Sequence, residues 1–255
     1  MHTTVLYHAN CPDGIASSFA CWQVFGDNAQ YFPVAYGEPV PAIPADHAVY
    51  IVDFSYPAAT LQALLAARVS MGRSREPYVT VLDHHVSAQR ELESLRAQQL
   101  RGLQIIFDLS ESGASLTWKY LHGGGWAPAQ DPDPHGIEYS MPTFFKYVRD
   151  RDLWQWQLPD SKAISLAYWA CDKDMLSIAQ FAQDLDEAEG YGRIVNDGTA
   201  MQRYADALVK EQATRAVMGE IGGYQVPIAN TTTLFSEVGD YLCTTRPEIP
   251  FCAYF

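Results

Sequence analysis

The chain has 255 residues, 48% hydrophobic and 18% charged, which supplies ample material for a buried core and too little charge for a disordered polymer. Lys and Arg total 17 against 30 Asp and Glu, and the resulting net charge of -13 repels long phosphate backbones unless basic residues are focused on one track. Apolar runs such as Val49 to Val52 are far shorter than the roughly 20 residues a bilayer span needs, and MHTTVLYHANCPDG lacks the pattern of a secretory signal.

In the first half, short β-branched or aromatic runs alternate with segments of helical period. Thr4 to Tyr7, Gln30 to Val34, Val49 to Phe54, Tyr78 to Leu82 and Leu103 to Leu109 read as strands covered on both faces. Between them Gly14 to Phe25, Pro57 to Val69, Ser87 to Leu100 and Gly113 to Leu121 read as helices, the last capped by Ser112. That order implies an α/β fold, a mostly parallel sheet flanked by helices. Residues 122 to 136, HGGGWAPAQDPDPHG, read as an irregular excursion. Helical segments follow at Met141 to Arg149, Ala163 to Cys171 and Met175 to Gln183, and a helical tract runs from about Gly198 to Val217, ended by Gly222-Gly223. Strand (Tyr224 to Ala229), helix (Phe235 to Cys243) and strand (Phe251 to Phe255) complete the pattern. The expected division is a domain over residues 1–190, a helical linker over 191–221 and a partial small α/β domain over 222–255.

The five cysteines (Cys11, Cys21, Cys171, Cys243, Cys252) are odd in number and contain no CxxC pair, so a reducing, cytoplasmic setting is expected. The chemistry gathers at strand ends. The first strand ends in HANCPDG, the third in DFS and the fourth in DHH. In a parallel sheet these carboxyl ends share one edge where ligands collect, so His8, Asp13, Asp53, Asp83, His84 and His85 are expected to converge. Taken singly, Asp13 and Asp53 are ordinary helix caps and His8 a turn residue; three such sites along one edge favour a joint role. Carboxylates with imidazoles suit manganese or magnesium. Asp150 or Asp152, in YVRDRDLW, could close the site. Arg149 and Arg151 could meet a phosphate or pair with surface acids, and Trp154 and Trp156 could stack a base or pack between subdomains.

The set YHANCPDGIASSFACW, VDFS, VLDHH, FDLSESGASLTW and YVRDRDLWQW, spread over residues 3–158, resembles the DHH phosphoesterase superfamily, close to its oligoribonuclease-like branch. The resemblance implies two Mn2+ ions, with Mg2+ as the alternative. It implies that His8 and Asp13 hold one ion and His84 and Asp150 the other, that Asp53 bridges them and positions the attacking hydroxide, and that His85 faces the substrate phosphate. Two departures stand out. Ile15 occupies the place of a second aspartate in many members, so the second ion would bind more weakly unless Asn10 or a water compensates, and no GGGH loop follows Gly223. The run His122-Gly123-Gly124-Gly125 has the reverse order. Residues 224–255 resemble only the first half of the family's associated domain.

The resulting expectation is a metal-dependent phosphodiesterase acting on short oligonucleotides or small nucleotides. Its catalytic residues would be Asp53 and His85, with Arg149 and Arg151 on the substrate. A cyclic dinucleotide phosphodiesterase and a catalytically impaired nucleotide-binding protein are the alternatives. Neither a membrane nor a long nucleic acid is an expected partner; a homodimer is left open.

Overall fold

Five apolar strands form a parallel sheet in the order β2-β1-β3-β4-β5: β1 (Thr3–His8), β2 (Ala29–Val34), β3 (Ala48–Val52), β4 (Val79–Asp83) and β5 (Leu103–Phe107). The computed structural model describes residues 2–70, 77–123 and 140–255. Val5, Leu6, Ile51, Val52, Val79, Val81 and Leu82 are wholly buried, as strands covered on both faces require. The edge strand β2 carries Pro33, whose missing N–H costs no ladder hydrogen bond on the open side of an edge.

Helices cover both faces. On one, α1 (Pro12–Phe25) and α4 (Gly113–His122) pack with α5 (Thr143–Asp152), α6 (Ser161–Ala170) and α7 (Met175–Asp186), around Phe19, Phe144, Phe145, Tyr168 and Phe181. On the other, α2 (Ala58–Val69) and α3 (Val86–Ala97) set Leu61, Leu64, Leu92 and Leu95 against Leu6, Ile51, Val79 and Val81. Ser112 caps α4 through a reciprocal pair of hydrogen bonds with Ser115. The α/β reading is therefore realised in this sheet and its helical layers.

The 27-residue α8 (Ala188–Thr214) runs from the helical layer to a second, smaller unit. Its Gly198 lies against the Ala163 backbone so closely that no Cβ would fit, and its far end packs Val209 and Ala213 on Ala229, Val238 and Leu242. That unit comprises β6 (Val217–Ile221), β7 (Tyr224–Ala229), α9 (Phe235–Thr245) and β8 (Ala253–Tyr254). Here the structure corrects the sequence reading. The helix ends at Thr214, and Val217–Ile221 is a strand paired antiparallel with β7. Gly222 and Gly223, at φ 59° and 85°, form the hairpin turn rather than a helix stop, because consecutive positive φ values are what a two-residue hairpin needs. The excursion read at 122–136 lies, from residue 124 on, outside the described residues.

Candidate metal centre

The sheet changes direction at β1, which lies between β2 and β3, so the carboxyl ends of β1 and β3 border the crevice where open α/β sheets bind ligands. His8 is the last residue of β1, Asp53 follows β3, and Asp83 ends β4 ahead of His84 and His85. The backbone at Asp53 turns through φ 63°, a left-handed conformation that Asp tolerates better than most residues. Gly113 passes so near that a Cβ there would sit 2.6 Å from both Cβ and Oδ1 of Asp53. The glycine that opens α4 is therefore part of how Asp53 is aimed.

Asp13 is not a helix cap. The N-cap of α1 is Cys11, with Pro12 and Asp13 in the first turn. The Asp13 carboxylate instead accepts the backbone N–H groups of Gly113 at 2.5 Å and Ala114 at 3.0 Å, taking the positive end of α4. His84 Nε2 then lies 3.1 Å from Asp53 Oδ1, 3.6 Å from Asp13 Oδ2 and 3.5 Å from Asp152 Oδ2. On the other side of Asp53, His8 Nδ1 stands 3.5 Å from Oδ2. His8, Cys11 and Asp53 could hold one cation and Asp13, His84 and Asp152 another; Asp53, His84 and His85 form a third such group.

The electrostatics follow from three carboxylates sharing a largely buried space. Burial, and then the charges of Asp53 and Asp152, push the Asp13 carboxyl well above its ordinary pKa. Burial and Asp53 likewise raise Asp152. For Asp53 burial also works upward, but the His8 and His84 rings more than reverse it and hold the group below the carboxylate range. His84 reaches about 8, because Asp53 and Asp152 outweigh the burial that would discharge the ring. Burial and then Asp53 raise the Cys11 thiol.

Asp83, wholly buried, organises the histidine pair without joining the ligand groups. Its Oδ1 accepts the backbone N–H of His84 at 2.7 Å and of His85 at 3.1 Å, and it holds His85 Nδ1 at 2.7 Å. Its Oδ2 accepts the Ser55 hydroxyl at 2.5 Å. With Nδ1 engaged, His85 keeps Nε2 for a ligand. Tyr36 sets its ring edgewise to His8 at 4.8 Å and to His85 at 6.2 Å.

Of the residues singled out from sequence, His8, Asp13, Asp53, His84 and His85 converge. Asp150 does not, and this is a correction. Its buried carboxylate accepts the backbone N–H groups of Gln157 at 2.8 Å and Leu158 at 3.4 Å, bracing the loop after α5. Asp152, two residues further along α5 and therefore on a different face, lies against His84 instead. Arg149 pairs with Glu111 at 3.3 Å. Arg151 reaches Glu237 of α9 at 3.4 Å and lies over the Trp154 ring at 4.9 Å, while Trp154 Nε1 donates to Asp240 at 3.2 Å. Arg151 and Trp154 thus join the first unit to the second. Ile15 is packed in the helical core, so its position contributes no ligand. Asp83 joins the converging residues as expected, whereas Gly113, Ser55 and Tyr36 carry no assignment from the sequence, although SESGA and DFS contain two of the three.

No family model matches the chain. It is similar to an uncharacterized protein of Acanthamoeba polyphaga mimivirus, 27% identical over 172 residues that cover 62% of this chain and 34% of the viral protein. The match therefore spans about a third of that relative's length. A crystal structure of an uncharacterized Helicobacter pylori protein superposes with a TM-score of 0.53 at 13% identity, covering 98% of this chain and 81% of that one. That likeness is one of fold alone. No helix among the described residues is long and apolar enough to cross a membrane.

Proposed function

We propose that the protein is a metal-dependent phosphodiesterase of the DHH type that hydrolyses short oligonucleotides or small nucleotides. The observation that carries this reading is a pair of atoms. His8 Nδ1 and Asp53 Oδ2 are both buried, face each other at 3.5 Å, and have no hydrogen-bond partner among the described residues. Leaving a buried polar atom unpaired costs about 1–3 kcal/mol, and a cation coordinated by both lone pairs removes that cost. The donor set of imidazoles and carboxylates suits Mn2+ or Mg2+, and Cys11 adds a softer donor beside His8.

His8, with Cys11 near it, and Asp53 would hold one ion; Asp13, His84 and Asp152 the other, with Asp53 serving both. When bound, the ions would supply a water of lowered pKa and neutralise charge on the phosphoryl oxygens. Asp53 fixes the spacing between the two ligand sets. His85, oriented by Asp83, meets the phosphate, and the acidic surface limits the substrate to one whose phosphates lie near the centre.

Hydrolysis of bis-p-nitrophenyl phosphate and of a short RNA is expected to vanish in chelator and to return best with Mn2+. Full activity in chelator would overturn the mechanism. Tight Mn2+ binding without turnover of either compound would leave a nucleotide-binding protein instead.

A further inference from the structure

Beside the proposed centre lies a cavity of about 450 Å³, formed where the loop after β2 meets the first turns of α2 and α3. Its walls are mainly aromatic and apolar. Phe54 stands edgewise to Tyr36 at 6.5 Å and to Tyr56 at 5.2 Å, and Thr60 of α2 lines the cavity too. Tyr36, 58% exposed, is the partition between cavity and centre, since the same ring touches His8 and His85. The remaining feature is charge. Glu38 and Glu91 line the cavity, and among the described residues no lysine, arginine or histidine does.

A phosphate is therefore repelled from this cavity, while a flat uncharged ring with hydrogen-bond donors on its edge is suited to it. The Glu38 carboxylate is already engaged, accepting the Ala35 N–H at 2.8 Å. Glu91 has no hydrogen-bond or ion-pair partner among the described residues. A carboxylate only accepts, through two oxygens side by side. Guanine offers two adjacent donors, N1–H and the 2-amino group. Adenine and cytosine each set a ring acceptor beside their amino group, and uracil flanks its single N–H with two carbonyls.

We propose that this cavity seats the nucleobase of the nucleotide whose phosphate lies at the metal centre, and that Glu91 selects guanine there. The proposal rests on the phosphodiesterase reading, because that reading places a nucleotide beside Tyr36. Stacking on Tyr36 or Phe54 supplies the sequence-tolerant part of the binding, and the Glu91 carboxylate the selective part.

The test uses the full chain in chelator, so that neither metal nor turnover contributes. Binding of guanosine, adenosine, uridine and choline is measured by ligand-observed NMR. Guanosine is expected to bind at least tenfold more tightly than uridine. Glu91→Gln should bring the two within about twofold, because an amide replaces one acceptor by a donor. Thr60→Trp, which fills the cavity, should weaken every nucleoside at least tenfold. Mn2+ affinity should be unchanged in both variants. Equal binding of guanosine and uridine, unaltered selectivity in Glu91→Gln, or choline binding more tightly than guanosine would each overturn the proposal. Failure of the metal reading is seen separately, as no Mn2+ binding and no hydrolysis by the wild-type chain.

Discussion

Asp53→Asn is expected to abolish high-affinity Mn2+ binding and to lower phosphodiester hydrolysis about 1,000-fold or more, with the fold intact. The rate effect corresponds to about 4 kcal/mol, in line with the several kcal/mol that metal stabilisation of developing charge provides. Asparagine is the informative replacement. Like aspartate it accepts the φ of 63° at this position, whereas alanine would add about 1–2 kcal/mol of left-handed strain and confuse loss of metal with loss of structure. Neutralising Asp53 relieves its repulsion of Asp13 and Asp152 but gives up the stronger attraction of the His8 and His84 rings, which hold it ionised. The melting temperature in chelator should fall modestly, with a single cooperative transition retained. Calorimetric Mn2+ titration and thermal melting read the two effects; activity within tenfold of wild type would place the bridging role elsewhere.

The second large effect separates two aspartates that the sequence does not. Asp152→Asn should weaken Mn2+ binding at least tenfold and leave the melting temperature nearly unchanged, since the carboxylate faces His84 and bears no part of the backbone network. Asp150→Ala should behave in the opposite way. It removes the buried carboxylate that accepts two backbone N–H groups of the partly exposed loop after α5, a loss of about 1–3 kcal/mol. For a chain of this size each kcal/mol lowers the melting temperature by about 2–4 °C. Metal affinity should stay within a few fold. The reverse pattern would return the ligand role to Asp150.

Why the sequence leaves this pair open is a matter of helix geometry. Residues two apart on a helix do not share a face, so at most one of Asp150 and Asp152 can serve the site from α5. Deciding which requires the rotation of that helix, and Phe144, Phe145 and Val148 set it by packing into a core whose other walls come from α1, α6 and α7. The strand ends were legible because a parallel sheet brings them to one edge whatever the details of packing, which is why His8, Asp53 and His84 could be placed together from their order alone. The support given to Asp13 by Gly113 and Ala114 was not, as it spans about a hundred positions with no local signature.

β6 was hidden for a different reason. Four of its five residues are exposed, so Val217–Ile221 carries no alternation of buried and solvated positions to mark a strand. Its identity comes from the Gly222-Gly223 turn and from pairing with β7. The cavity beside Tyr36 was likewise invisible, being built by a loop after an edge strand and by two helices whose proximity only the sheet order establishes.

The central claim is that His8 Nδ1 and Asp53 Oδ2 are unpaired because they share a cation. Anomalous diffraction at the manganese edge, from crystals grown with Mn2+, tests it most directly. The strongest peak should lie at bonding distance from both atoms, with a second near Asp13, His84 and Asp152. A map with no peak between His8 and Asp53, and manganese only at exposed carboxylates, would contradict the claim.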